Sequence, residues 1–108
     1  MATTRISPKQ LKDLEKDFEQ KVQQTALKFP GDVVRIRFTI KPDWSDDLSA
    51  YFRVVLSDEA ARDNLAQIAK SIRQQLEDDL DLKDLDLFPY VNFRSKSEED
   101  KLRDPQWE

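Results

Sequence analysis

No cysteine and no histidine occur in this chain of 108 residues. Their absence removes structural zinc sites, disulfide frameworks, thiol nucleophiles and every Ser-His or Cys-His catalytic arrangement. It also removes the side chain whose charge ordinarily changes near neutral pH. Glycine is almost as scarce, with Gly31 standing alone. Phosphate loops need several glycines, because backbone N–H groups must approach the ligand with no Cβ in the way; Walker-type and Rossmann-type nucleotide sites are thereby excluded. No apolar run approaches the roughly 20 residues that span a bilayer, and residues 1–6 lack the apolar stretch of a signal peptide. The expectation is a soluble, cytoplasmic chain with no cofactor, no metal and no membrane contact.

What is present is charge. Charged residues make up 37% of the chain and hydrophobic ones 38%, with two tryptophans, two tyrosines and six phenylalanines to seed a core. The length fits one domain. Eighteen basic and twenty-two acidic side chains leave a net charge of −4, too small to hold a chain unfolded. The signs are unevenly spread: residues 1–57 hold ten basic and eight acidic side chains, residues 58–108 eight and fourteen.

Ser7, Pro8 and Gln10 form a helix start of the Ser-x-x-Gln kind. Leu11, Leu14, Phe18, Val22, Ala26 and Phe29 then recur every three or four residues, predicting an amphipathic helix from about Pro8 to Lys28. Phe29-Pro30-Gly31-Asp32 ends it. Val33 to Ile40 and Ala50 to Leu56 alternate with a period of two, and the aspartate-rich stretch between them reads as a hairpin loop. Ser57 or Asp58 caps a second helix running to about Glu77, with Ala61, Leu65, Ile68, Ile72 and Leu76 on one stripe. Phe88 to Arg94 is a third strand. Residues 1–6 are expected to be flexible, 7–94 to form the domain, and 95–108 to be a charged tail with a short helix.

The reading is therefore α+β: a two-layer α-β-β-α-β domain with a three-stranded mixed sheet and two helices on one face. A strand-helix-strand crossover is right-handed and sets strand three parallel to strand two. Placing the most regular alternation, Val33–Ile40, in the centre gives the order 2-1-3.

Such an architecture leaves the second sheet face open, bearing Arg35, Arg37, Tyr51, Arg53, Tyr90, Asn92 and Arg94. Arginine and tyrosine are favoured anchors at protein interfaces; they also stack bases and neutralise phosphates, and on a solvated face they simply cover apolar neighbours. A sequence pI near 4.9 is the wrong global field for nucleic acid. The acidic segment Asp78, Asp79, Asp81, Asp84 and Asp86, together with Trp107 of the tail, forms a second candidate contact region. Acids at the end of a helix oppose its dipole. From Asp79 onward the segment also fails the EF-hand pattern, which requires glycine at the sixth position.

The element order resembles that of type II KH domains, which bind single-stranded RNA or DNA and clamp the backbone with a Gly-x-x-Gly loop between two helices. The corresponding stretch here is expected at Glu77 to Leu87, which has no glycine and five aspartates and would repel a phosphate backbone. Asp43, Asp46 and Asp47 beside Trp44 are explained as turn formers without invoking carboxylate catalysis. The reading is a non-enzymatic interaction protein: an accessory subunit, adaptor or inhibitor acting on a protein partner. It takes no small-molecule substrate, and self-association through the open face or the edge of strand two belongs to the same reading. The alternative is a weak single-strand nucleic-acid binder using the arginine–tyrosine face.

Overall fold

In the computed structural model, which describes residues 7–107, Ser7 caps the first helix with the reciprocal bonds of a capping box. Its hydroxyl accepts from Gln10 N at 3.1 Å, and its own N–H donates to Gln10 Oε1 at 2.9 Å. The expected flexible segment 1–6 and the final residue, 108, lie outside the described residues. Helix α1 spans Pro8–Leu27 and buries Phe18, Val22 and Thr25. The turn that follows it holds Gly31 at φ +82°, a left-handed conformation that glycine adopts freely.

Strands β1 (Val33–Pro42) and β2 (Leu48–Leu56) form the expected antiparallel hairpin, and β3 (Phe88–Ser95) lies parallel to β2. The order is β1-β2-β3, so β2 and not β1 is central. This corrects the expected 2-1-3. Regular alternation marks a strand with one wet face, which describes β1. A central strand covered on both faces reads as a continuous apolar run; Val54-Val55-Leu56 is such a run, and all three are fully buried. With both neighbours paired, β2 also has no edge to offer for self-association. The sheet's edges are β1 and β3.

Between β2 and β3 the expected single helix is two. Ser57 caps α2 (Asp58–Asp63) by accepting from Ala60 N at 3.2 Å, and α3 (Leu65–Asp79) follows after Asn64, whose φ of −140° breaks the helix. Asparagine is a poor helix former because its side chain competes for the backbone. The apolar spacing carries on across the break and hides it. The junction between two helices, where the KH resemblance would place its Gly-x-x-Gly loop, is therefore Asp63–Leu65 and not Glu77–Leu87; it too lacks glycine.

Helices α1 and α3 cover the sheet face that carries Ile36, Phe52 and Val54, with Phe18, Ile72 and Leu76 filling the layer between. The α+β, two-layer reading holds. Burying each large apolar side chain contributes roughly 1.5–3 kcal/mol relative to exposing it, so this layer holds the fold together.

The leucine-punctuated stretch after α3 has a definite construction. Leu80 ends the helix, Asp81 takes φ +52°, and Leu82 N donates back to Glu77 O at 3.2 Å. That is the Schellman closure, with aspartate where glycine usually sits. The pattern repeats at once: Asp86 takes φ +55°, and Leu87 N donates to Leu82 O at 3.0 Å. Each closure delivers a buried leucine, Leu82 and Leu87, to the core.

The tail is the main departure. Ser95 caps α4 (Lys96–Leu102) with a second capping box through Glu98, and a 3-10 turn, Pro105–Trp107, follows. Both lie on the sheet face that was expected to be open. Among the described residues no helix is long and apolar enough to cross a membrane.

Candidate functional site

Strand register arranges the outer sheet face in four rows. Arg35, Val55 and Arg94 form one row, and Arg37, Arg53 and Asn92 the next. Then come Thr39, Tyr51 and Tyr90, and last Lys41, Ser49 and Phe88. Period two thus brings the seven sheet-face candidates together as expected. It also divides them into a basic half and an aromatic half.

The tail occupies the basic half. Arg35 donates through Nε to the Trp107 carbonyl at 2.7 Å and through Nη2 to Glu99 at 3.2 Å. Arg94 reaches Glu99 at 3.2 Å and Asp104 at 3.4 Å, and its guanidinium lies 4.1 Å from the centre of the Trp107 ring. Arg53 donates to the Gln106 carbonyl at 2.6 Å and to Thr39 at 3.0 Å. Burial draws the Arg53 pKa down, opposed by Asp104 and reinforced by Arg37. Arg37 itself lines a groove with Glu15 and Glu19 of α1. Glu99 and Trp107 are buried, and Val55 beneath them is too, although it points away from the main core. Trp107 is packed into the fold.

The aromatic half is uncovered. Tyr51 and Tyr90 stack with centroids 4.8 Å apart and planes 11° apart, and Phe88 meets Tyr90 edge-on at 4.8 Å. Lys41 sits 4.8 Å above the Tyr51 ring. Phe88 is 60% exposed and Trp44, in the β1–β2 loop, 91%. The loop is held by Asp43, which accepts from Ser45 N and Ser45 Oγ at 2.8 Å each and from the Tyr90 hydroxyl at 3.1 Å. The Ser45 bonds, with help from Tyr90, keep the Asp43 carboxyl below its usual range. Desolvation, and then the same carboxylate, push the Tyr90 phenol up. Asp43 is therefore a structural hub. An open cleft of about 690 Å³ borders this half, between the β1–β2 loop, the end of α3 and the start of β3.

The five candidate aspartates do not act as one patch. Asp81 and Asp86 supply left-handed backbone, which aspartate tolerates better than most residues. Asp78 accepts from Gln74, and Asp84 is exposed. Asp79 ties α3 to α1: it accepts from Thr25 at 2.7 Å, Lys28 at 2.8 Å and Gln75 at 2.9 Å. Its position at a helix end, unfavourable locally, is explained by this latch. Burial raises the Asp79 pKa, but the bonds from Lys28, Thr25 and Gln75 outweigh it and hold the carboxyl below 3.8. A carboxyl lowered by folding stabilises the native state above its unfolded pKa, and that contribution fades as pH falls through the folded value. Asp79→Asn should cost about 1–2 kcal/mol, the low end for charged hydrogen bonds because Lys28 is half exposed. It should also flatten the acid side of the stability curve below about pH 4. Urea melts across pH 2–7 measure both; an unchanged acid limb would refute the latch.

Phe88 and Trp44 were not among the sequence candidates. Phe88 carried a signal, since it stands two residues before Tyr90 and so shares its face. Trp44 had none, because a loop side chain has no period. Among the described residues no group of three or more Asp, Glu, His or Cys side chains is placed to hold a metal ion. No protein-family model matches the chain, and no curated protein matches it by sequence.

Proposed function

We propose that this chain is a non-enzymatic interaction module, an accessory subunit or adaptor, that binds a protein partner through the aromatic end of its sheet. The observation carrying this reading is the ring cluster of Tyr51, Phe88 and Tyr90, with Phe88 exposed on a face whose other half the chain covers itself and Trp44 exposed on the β1–β2 loop that Asp43 ties to Tyr90. Aromatic side chains are the commonest anchors of protein interfaces, and a contiguous exposed patch of them marks a contact site. Single-strand binding has less support: Arg35, Arg53 and Arg94, which would neutralise phosphates, already bond to the tail, and the cleft beside the tyrosines is lined by carboxylates.

The test is capture from nuclease-treated native extract on the immobilised protein, with the Trp44→Ala/Phe88→Ala double variant beside it. Wild type should retain a protein at near-stoichiometric level, and the variant should lose it roughly tenfold or more, as for interface anchors. Equal capture by both would refute the aromatic site. Nucleic acid recovered from untreated extract, with no protein retained, would put the single-strand alternative in its place.

A further inference from the structure

We infer that the cleft beside the aromatic half receives an arginine side chain from a basic segment of the partner. This rests on the protein-binding role proposed above and names the chemistry of the bound segment. Phe88 and Tyr90 meet at 61° and form a two-ring corner on one wall of the cleft. Asp43, Asp47, Glu77 and Asp86 also line the cleft, among leucines, with Lys83 the one cation among the lining residues. Glu77 is half-buried between this cleft and a second one bounded by the same two rings. No hydrogen bond or ion pair among the described residues engages its carboxylate.

Ring faces and carboxylates together select a planar cation. Guanidinium stacks on aromatic faces and gives a forked pair of donors to a carboxylate, which ammonium does not. The chain uses this constellation itself, on the other half of the same face. There Arg94 lies over the Trp107 ring while donating to Glu99. At the cleft the rings and the carboxylates are present; Arg73, one turn before Glu77 on α3, lines only the adjoining cleft and makes no hydrogen bond or ion pair with Glu77. Charge complementarity therefore assigns the occupant: an arginine of a basic segment, and neither an acidic peptide nor a phosphate backbone.

Two blocked peptides, tri-arginine and tri-citrulline, test this by titration into the full chain with backbone amide NMR shifts as readout. Citrulline keeps the shape of arginine and removes its charge. The arginine peptide should shift amides of residues 43–48, 77 and 82–90 and bind at least about tenfold more tightly than the citrulline peptide, an advantage that shrinks with added salt. Glu77→Gln and Phe88→Ala should each weaken arginine binding several-fold with the rest of the spectrum unchanged. Equal binding of the two peptides would overturn the cationic occupant while leaving an aromatic docking site standing. Shifts confined to the mixed-charge outer face of α1, or none at all, would overturn the cleft. Either failure, alongside partner capture that still needs Trp44 and Phe88, would sink this inference without touching the proposed function. Capture indifferent to those rings would remove both.

Discussion

Phe52→Ala is expected to destabilise the fold by about 3–5 kcal/mol, the usual cost of truncating a fully buried phenylalanine. Phe52 has no exposed surface and sits on the central strand, paired with Phe38 on one side and Val91 on the other. Its removal opens a cavity where sheet and helices meet, and neither neighbouring strand can close in without giving up its ladder. Domains of this size are typically stable by only about 5–15 kcal/mol, so the variant should unfold at much lower urea concentration with an unchanged m-value. Phe88→Ala provides the control, since the same deletion at an exposed ring should alter stability by no more than about 0.5 kcal/mol. A loss below about 1 kcal/mol at Phe52 would mean that the packing described for the central strand is wrong.

Glu99→Ala should cost about 2–4 kcal/mol, an unusually large effect for a charged residue on a short C-terminal helix. The Glu99 side chain is 2% exposed and is shared by Arg35 and Arg94, whose side chains keep 26% and 22% exposure. Removing it strands two guanidinium groups beneath the tail. Their residual access to water allows partial rehydration, which keeps the loss below that of a fully sealed pair. The variant should also free the tail, seen as loss of the near-ultraviolet signal of Trp107 and faster proteolysis after Ser95. Coupling measured against Arg35→Ala should be about 1–3 kcal/mol; independent, additive effects would show that the tail does not depend on this ion pair.

Local signals are legible in the sequence except at Asn64, where the apolar spacing runs on through the break between α2 and α3. Ser7 and Gln10 announced the first helix, and the alternations announced the hairpin and the third strand. Longer-range features were harder to see. Whether a sheet face is wet depends on what packs there from elsewhere in the chain, and period two places Arg35, Arg53 and Arg94 on one face without saying what covers them. Val55 was the available clue, an outward-facing valine in an otherwise polar set. The same residue, flanked by Val54 and Leu56, marks β2 as the central strand. By charge alone the aspartates Asp78, Asp79, Asp81, Asp84 and Asp86 look like one patch. Asp79 serves as a latch, while Asp81 and Asp86 serve their own backbone, and neither role leaves a trace in composition. Of the candidate site, the tyrosines are legible by period. The exposure of Phe88 and Trp44 is not, because it follows from which half of the face α4 and the 3-10 turn cover.

The parallel pairing of β2 with β3 also orders events in time. The β1–β2 hairpin closes over a loop of a few residues, whereas Ser49 meets Phe88 and Leu56 meets Ser95 across the whole α2–α3 connection. Loop-closure entropy makes the second step the slower one. During synthesis the apolar run Val54-Val55-Leu56 is complete long before β3 emerges to cover it, so the nascent chain carries an unpaired, sticky strand edge. The segment that seals the outer face is made only after β3. For this chain, the interval between making residue 56 and residue 95 is the period of greatest exposure to aggregation.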